Sequence, residues 1–105
     1  MKFDHIALKS KDITTSIRWY KENCKAKILY QDESWALIDV NGGKIAFVLP
    51  TQHPPHVGIQ IDKDIRARQF SDKTFKYHRD GSESCYVQDP DGNFVEFIIY
   101  NEAEE

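Results

Sequence analysis

The chemistry on offer in this sequence centres on two histidines and one glutamate, His5, His56 and Glu96, far apart in the chain. Two imidazoles and a carboxylate suit a first-row divalent ion, as in the 2-His-1-carboxylate pattern. Each sits in a short apolar run where alternate side chains face opposite ways, as on a strand. A polar side chain on an apolar face is costly unless it is paired or binds a metal. Taken singly, each has a plainer reading: a histidine at a strand start, or a charge at a sheet edge. Their equivalent places in an internal repeat favour the metal.

That repeat is visible in the elements that must position the three. Phe3 to Leu8 reads as a strand, and Asp12 as the N-cap of a helix carrying Ile13, Ile17 and Tyr20 at helical spacing through Asn23. Lys25 to Gln31 and Trp35 to Val40 read as strands, Asn41-Gly42 as a hairpin turn, and Lys44 to Leu49 as a further strand. Pro50 to Pro55 breaks the pattern, which then restarts. His56 to Ile61 reads as a strand, Asp64 to Phe70 as a short helix and Phe75 to His78 as a weak strand. Glu83 to Gln88 is a further strand, Asp89-Pro90-Asp91-Gly92 a turn, and Phe94 to Tyr100 a closing strand. Each half is therefore β-α-β-β-β and about 50 residues long. His5-Ile6-Ala7-Leu8 aligns with His56-Val57-Gly58-Ile59, and Asp39-Val40-Asn41-Gly42 with Asp89-Pro90-Asp91-Gly92. Lys44-Ile45-Ala46-Phe47 falls on Phe94-Val95-Glu96-Phe97.

Strand alternation sorts the faces. Ile6 and Leu8 oppose His5 and Ala7; Val57, Ile59 and Ile61 oppose His56 and Gly58; Val95, Phe97 and Ile99 oppose Phe94 and Glu96. The aliphatic faces are expected to lie under the helices. The other faces would curl into a cup where His5, His56 and Glu96 converge. The repeat predicts a fourth position opposite Glu96, and there stands Ala46. Alanine cannot ligate, and it leaves room for water or substrate oxygens, as catalytic metal sites require.

The His5 strand, the Asp12-x-x-x-Ser16-x-x-Trp19-Tyr20 helix, the His56 strand and Asp89-Pro90-Asp91-Gly92-Asn93-x-x-Glu96 together resemble the vicinal oxygen chelate superfamily, which includes glyoxalases, bleomycin-resistance proteins and extradiol dioxygenases. The resemblance covers nearly the whole chain, and the last motif is its most specific part. It implies an α+β fold of two βαβββ modules, here 1–50 and 55–101, forming a cup-shaped mixed sheet within a single domain. It implies a divalent ion, Fe2+, Mn2+, Ni2+ or Zn2+, held by His5, His56 and Glu96 and chelated by neighbouring oxygens of a small-molecule substrate or its oxyanion intermediate. Glyoxalase I has a carboxylate where this chain has Ala46, so the three-ligand set is more similar to dioxygenases or fosfomycin-modifying enzymes. Tyr86, ten residues before Glu96, and His78, eight earlier, are spaced like the acid/base pair of extradiol enzymes. Chains of this size in the superfamily commonly pair modules of two subunits, which implies a homodimer; pairing within one chain is the alternative.

Bulk properties exclude other classes. The chain has 105 residues, 40% hydrophobic and 30% charged, and a formal net charge of -3. That length suits one domain. Its cations are scattered, unlike the concentrated patch of a nucleic-acid binder. No apolar run approaches a membrane span, and the charged start is unlike a signal peptide. Cys24 and Cys85 lack metal-site spacing and read as reduced thiols in a cytoplasmic protein. The acidic stretch Glu102 to Glu105 reads as a solvated tail. Trp19, Tyr20 and Trp35 are expected in the core, with Trp35 also a candidate for lining a substrate pocket. Arg66 and Arg68 are expected to face solvent. The competing functional reading is a metal-free protein that sequesters a small compound, as bleomycin-resistance proteins do, in a cleft built from Trp35, Tyr86 and Phe94.

Overall fold

The computed structural model describes residues 1–101. In chain order the elements are β1 (Lys2–Lys9), α1 (Ile13–Cys24), β2 (Lys27–Gln31), β3 (Trp35–Val40), β4 (Gly43–Val48), β5 (His56–Gln60), α2 (Lys63–Gln69), β6 (Lys76–Tyr77), β7 (Glu83–Gln88) and β8 (Phe94–Ile99). The fold is α+β, two βαβββ repeats whose strands form one open mixed sheet in the order β2-β3-β4-β1-β5-β8-β7-β6. Each repeat has the same internal order, its first strand followed by its fourth, third and second. β1 and β4 pair in parallel, whereas β2–β3, β3–β4, β6–β7 and β7–β8 are antiparallel. The described residues pack as two compact units, His5–Val57 and Met1–Asp4 with residues 58–101.

In the unit His5–Val57, Asp12 caps α1 as its sequence position predicts: its carboxylate accepts from the Thr14 amide at 3.1 Å and from the Thr15 hydroxyl. The helix ends where Lys25 turns left-handed at φ 53°. Ile13 and Ile17, one turn apart, pack with Ala26, Ala36, Ile38 and Phe47, and Leu8 and Tyr20 close over them. A Ser10–Ser16 hydroxyl pair at 2.6 Å ties the end of β1 to the helix. The β3–β4 turn has Asn41 at φ 50° and Gly42 at φ 96°, the two left-handed residues of a tight hairpin. Asp39 secures it by accepting from the Gly42 amide at 2.9 Å.

The second unit holds its helix differently. Asp62 caps α2, accepting from the Ile65 amide at 2.7 Å, but no residue of this helix is buried. Ile65 and Phe70 lie half-buried against Ile61, Phe75, Cys85 and Ile99. Arg66 donates to Glu83 at 2.8 Å, and its guanidinium stands 4.3 Å from the Phe75 ring centre. The β7–β8 turn is organised by Asp89, which accepts from the Asp91 and Asn93 amides at 2.9 Å and from the Asn93 side chain at 3.0 Å. Those bonds hold the Asp89 carboxyl below its usual range, the Asn93 side chain contributing most.

Several expectations change. β6 is only two residues long, because Phe75 turns into the apolar cluster and His78 leaves the ladder for a turn with Ser82. Trp19 is 54% exposed, since the apolar stripe of α1 runs through Ile13 and Ile17. Trp35 is 37% exposed. Ile6 is also exposed, while Leu8 keeps the helix face of β1. Arg66 is engaged with Glu83 and Phe75, and only Arg68, paired with Asp64 on the exposed side of α2, faces solvent as expected. Cys24 and Cys85 are free thiols. Among the described residues no helix is long and apolar enough to cross a membrane. The acidic stretch Glu102 to Glu105 lies outside the described residues.

Candidate metal centre

Alternation along β1 turns His5 and Ala7 to the face away from α1, and both are buried. His56 opens β5 and is buried too. The two imidazoles meet edge to face: their Nε2 atoms are 3.1 Å apart and their ring planes cross at 83°. On the other side of the His56 ring, Nδ1 lies 2.8 Å from the Pro54 carbonyl oxygen. A carbonyl only accepts, so Nδ1 carries the hydrogen, and in the neutral ring the His56 Nε2 presents its lone pair toward His5. In the metal-free chain, the His5 Nε2–H is then the donor between the rings.

Register extends the same face across the sheet. Ala7 is level with Ala46, Ala46 with Leu37, and Leu37 with Tyr30. Ala7, Ala46 and Val48 form a small buried cluster with Leu37 against it. Trp35, level with Val48, stacks on Tyr30 with ring centres 4.5 Å apart and planes 25° apart. The Tyr30 hydroxyl donates to Asp32, whose carboxylate also accepts from Ser34 and Trp35 amides. These bonds, the Tyr30 one foremost, press the Asp32 carboxyl far below its ordinary range.

In the second unit Glu96 is buried on β8, directly opposite Tyr86 on β7. Burial, then the Glu96 charge, raises the Tyr86 phenol well above its ordinary value, so it is protonated at neutral pH. The Tyr86 ring meets Phe94 edge-on at 6.2 Å, and Phe94 pairs with Gln88. His78 is half-buried, its Nε2 2.7 Å from the hydroxyl of buried Ser84. Thus His5 and His56 meet in one unit, and Glu96, Tyr86 and Phe94 neighbour one another in the other.

No family model and no curated relative matches the sequence. Solved structures do. The chain is similar to methylmalonyl-CoA epimerase from Mycobacterium tuberculosis, with a TM-score of 0.77 and 14% identity over 96% of this chain and 89% of that one. It is similar to a glyoxalase/bleomycin resistance protein/dioxygenase superfamily member from Vibrio splendidus 12B01, with a TM-score of 0.67 and 14% identity over 93% and 98%. The chain has the vicinal oxygen chelate fold. A Streptomyces coelicolor methylmalonyl-CoA epimerase variant, in complex with 2-nitronate-propionyl-CoA, matches the same fold with a TM-score of 0.73 and 14% identity over 97% and 99%.

Two residues on the faces of this vicinal oxygen chelate fold escaped sequence reasoning. Strict alternation puts Tyr30 on the same side as Ile28, but the register shifts between them, so Ile28 faces Ile38 while Tyr30 faces Leu37. An extra residue in one strand reverses the face of all that follow it. Ser84 was missed for a simpler reason: serine carries no signal until its partner, His78, is known.

Proposed function

We propose that the chain is a metal-dependent enzyme that acts on a small molecule through two neighbouring oxygens, with His5, His56 and Glu96 holding a divalent ion. The observation that carries this reading is the 3.1 Å approach of the two buried Nε2 atoms, with the His56 lone pair already directed inward. Nitrogens bound to one first-row ion at about 2.0–2.1 Å stand about 2.8–3.4 Å apart for angles from square to tetrahedral. The spacing of the pair fits, and an ion would take the place of the proton it now shares. Glu96 is the buried carboxylate that completes the donor set.

A divalent ion there, iron(II), manganese(II), nickel(II) or zinc(II), supplies Lewis acidity for negative charge developing on substrate oxygen. In this reading Ala46 contributes no ligand and leaves coordination positions to the substrate. Tyr86, protonated beside Glu96, donates to the developing charge or to a leaving oxygen. His78, braced on Ser84, is a secondary proton carrier. Trp35 and Phe94 line the substrate's apolar part. The chain acts as one two-module domain in a cytoplasmic homodimer, each chain carrying its own donor set; the two free thiols suit a reducing compartment. Isomerisation or lyase chemistry, oxygen-dependent cleavage and thiol transfer all suit such a centre, and the similarity to epimerases gives enolisable acyl compounds first place among substrates to try.

The test is metal analysis of protein purified without chelator and then loaded with each of the four ions, beside His5→Ala and Glu96→Ala. Retention of about one ion per chain by the parent alone is expected. Equal, negligible metal in all three overturns the reading. It would favour a second one, a metal-free binding protein, for which the partly exposed Tyr30–Trp35 stack is a ready platform for a flat apolar ligand.

A further inference from the structure

We infer that Pro54-Pro55 is a positioning device that fixes His56 in the tautomer a metal ligand needs, an inference that rests on the proposed metal centre. The acceptor for Nδ1–H is the carbonyl of Pro54, two residues before His56, at 2.8 Å. The direction of a carbonyl is set by its residue's φ and ψ. Pro54's own ring fixes φ. The ring of Pro55 excludes the α region for the residue before it and so confines ψ of Pro54. Pro55 then fixes its own φ, and β5 begins at the next residue. Of the four torsions between the start of Pro54 and His56, only ψ of Pro55 is unrestrained by ring chemistry.

The restraint matters because this stretch has no strand partner to hold it. Residues 51–55 are turn and irregular chain, and Pro55 is exposed. With ordinary residues there, the carbonyl could swing to water, and Nδ1 would lose its acceptor. A free neutral imidazole favours the opposite tautomer, with hydrogen on Nε2. That hydrogen would sit on the atom facing His5 and would have to leave before His56 could coordinate. The proline pair therefore acts on the ion through His56, as a hydrogen-bond partner behind a ligand does.

The experiment uses the full chain, metal-free and labelled with 15N, at alkaline pH, where long-range proton–nitrogen correlations report the tautomer of each histidine. His56 in the parent is expected to carry hydrogen on Nδ1. Pro55→Gly, which frees ψ of Pro54, is expected to give a mixture of His56 tautomers and to weaken nickel(II) binding about 10- to 100-fold, leaving backbone amide shifts beyond residues 51–57 unchanged. Pro55→Ala, less disruptive to the backbone, is expected to move both readouts the same way by less. An Nε2–H tautomer in the parent, or an unchanged tautomer in both variants, overturns the inference. Failure of the parent to bind nickel or any of the other three ions would instead overturn the metal centre, and the tautomers of the metal-free chain would still judge the proline pair.

Discussion

In the first βαβββ repeat, α1 lays Ile13 and Ile17 into a cluster with Ile38 and Phe47. In the second, no residue of α2 is fully buried: Ile65 packs half-buried on the apolar cluster, and Arg66 clasps Glu83. Both repeats share strand order, so the difference lies in how much helix the sequence between first and second strand allows. Twelve residues in α1 give three turns and an apolar stripe, whereas seven in α2 give two. A short helix has less surface for a hydrophobic anchor, and a guanidinium reaching a buried carboxylate adds to it. The same asymmetry marks the equivalent strands β4 and β8, where buried Ala46 in one answers buried Glu96 in the other. A duplicated frame can therefore spend one copy on packing and place its carboxylate in the other.

The sharpest way to break this comparison is to delete an aromatic anchor from each repeat. Phe47 is almost wholly buried, and Phe47→Ala is expected to cost about 3–5 kcal/mol. The aligned Phe97 is only half-buried against Phe70, so Phe97→Ala should cost less, about 2 kcal/mol. Urea denaturation of both variants checks the ratio. Equal losses would mean that the second repeat depends on its apolar cluster as heavily as the first.

The next test makes the two copies alike. Ala46 is packed level with Ala7 on one side and Leu37 on the other. Ala46→Glu forces a larger, charged side chain into that space and is expected to destabilise the metal-free chain by about 1–3 kcal/mol. If the imidazole pair holds an ion, the added carboxylate gains a partner, and nickel or zinc should recover most of the lost thermal stability. A loss unrelieved by any metal would detach Ala46 from the centre.

Much of this asymmetry was readable in the residues themselves. Alternation placed His5, Ala7 and Ala46 on one face, and the Asn41-Gly42 and Asp89-to-Gly92 turns fixed the hairpins that carry Ala46 and Glu96. The pairing of the buried His5 and His56 followed from the repeat. What could not be read was long-range compensation. Arg66 looks like one more charge on a polar helix until Glu83, itself held by Asn101, comes within its reach. Trp19 fits the general preference of tryptophan for cores, yet it falls outside the stripe that faces the sheet. The register shift that turns Tyr30 over leaves no local trace in Lys27–Gln31, because a bulge is decided by both strands.

The charged clasp of the second repeat has a pH signature that the apolar anchor of the first lacks. Glu83 accepts from the Asn101 amide and from Arg66, each at 2.8 Å, and the Asn101 bond foremost, then Arg66, holds its carboxyl below the ordinary glutamate range. A carboxyl whose folded pKa is depressed stabilises the fold above its unfolded pKa, and the gain disappears as pH falls through the folded value. Glu83→Gln keeps the shape and removes the charge. It is expected to cost about 1–2 kcal/mol at pH 7, with parent and variant converging below about pH 4. Melting curves from pH 7 to 3 measure the gap. Equal stability of parent and variant at pH 7 would show that shape, not charge, holds α2.

The smallest effect is expected at Trp19, where the first repeat departs from its own sequence pattern. The indole lies on the outer side of α1, more than half exposed, edge-on to Tyr20 at 4.9 Å. Tyr20 keeps its contact with Phe47 at 4.9 Å without it. The backbone carbonyl of Trp19, which accepts from Asn23, is untouched by side-chain removal. Trp19→Ala should therefore cost about 0.5 kcal/mol or less in dilute solution. A larger loss would place Trp19 against something other than its own repeat. If that loss grew with protein concentration, the contact would be a second copy of the chain, because only association makes stability depend on concentration. The outer side of α1 would then belong to the dimer interface, and the comparison between repeats would have to be redrawn with a partner bound to one of them.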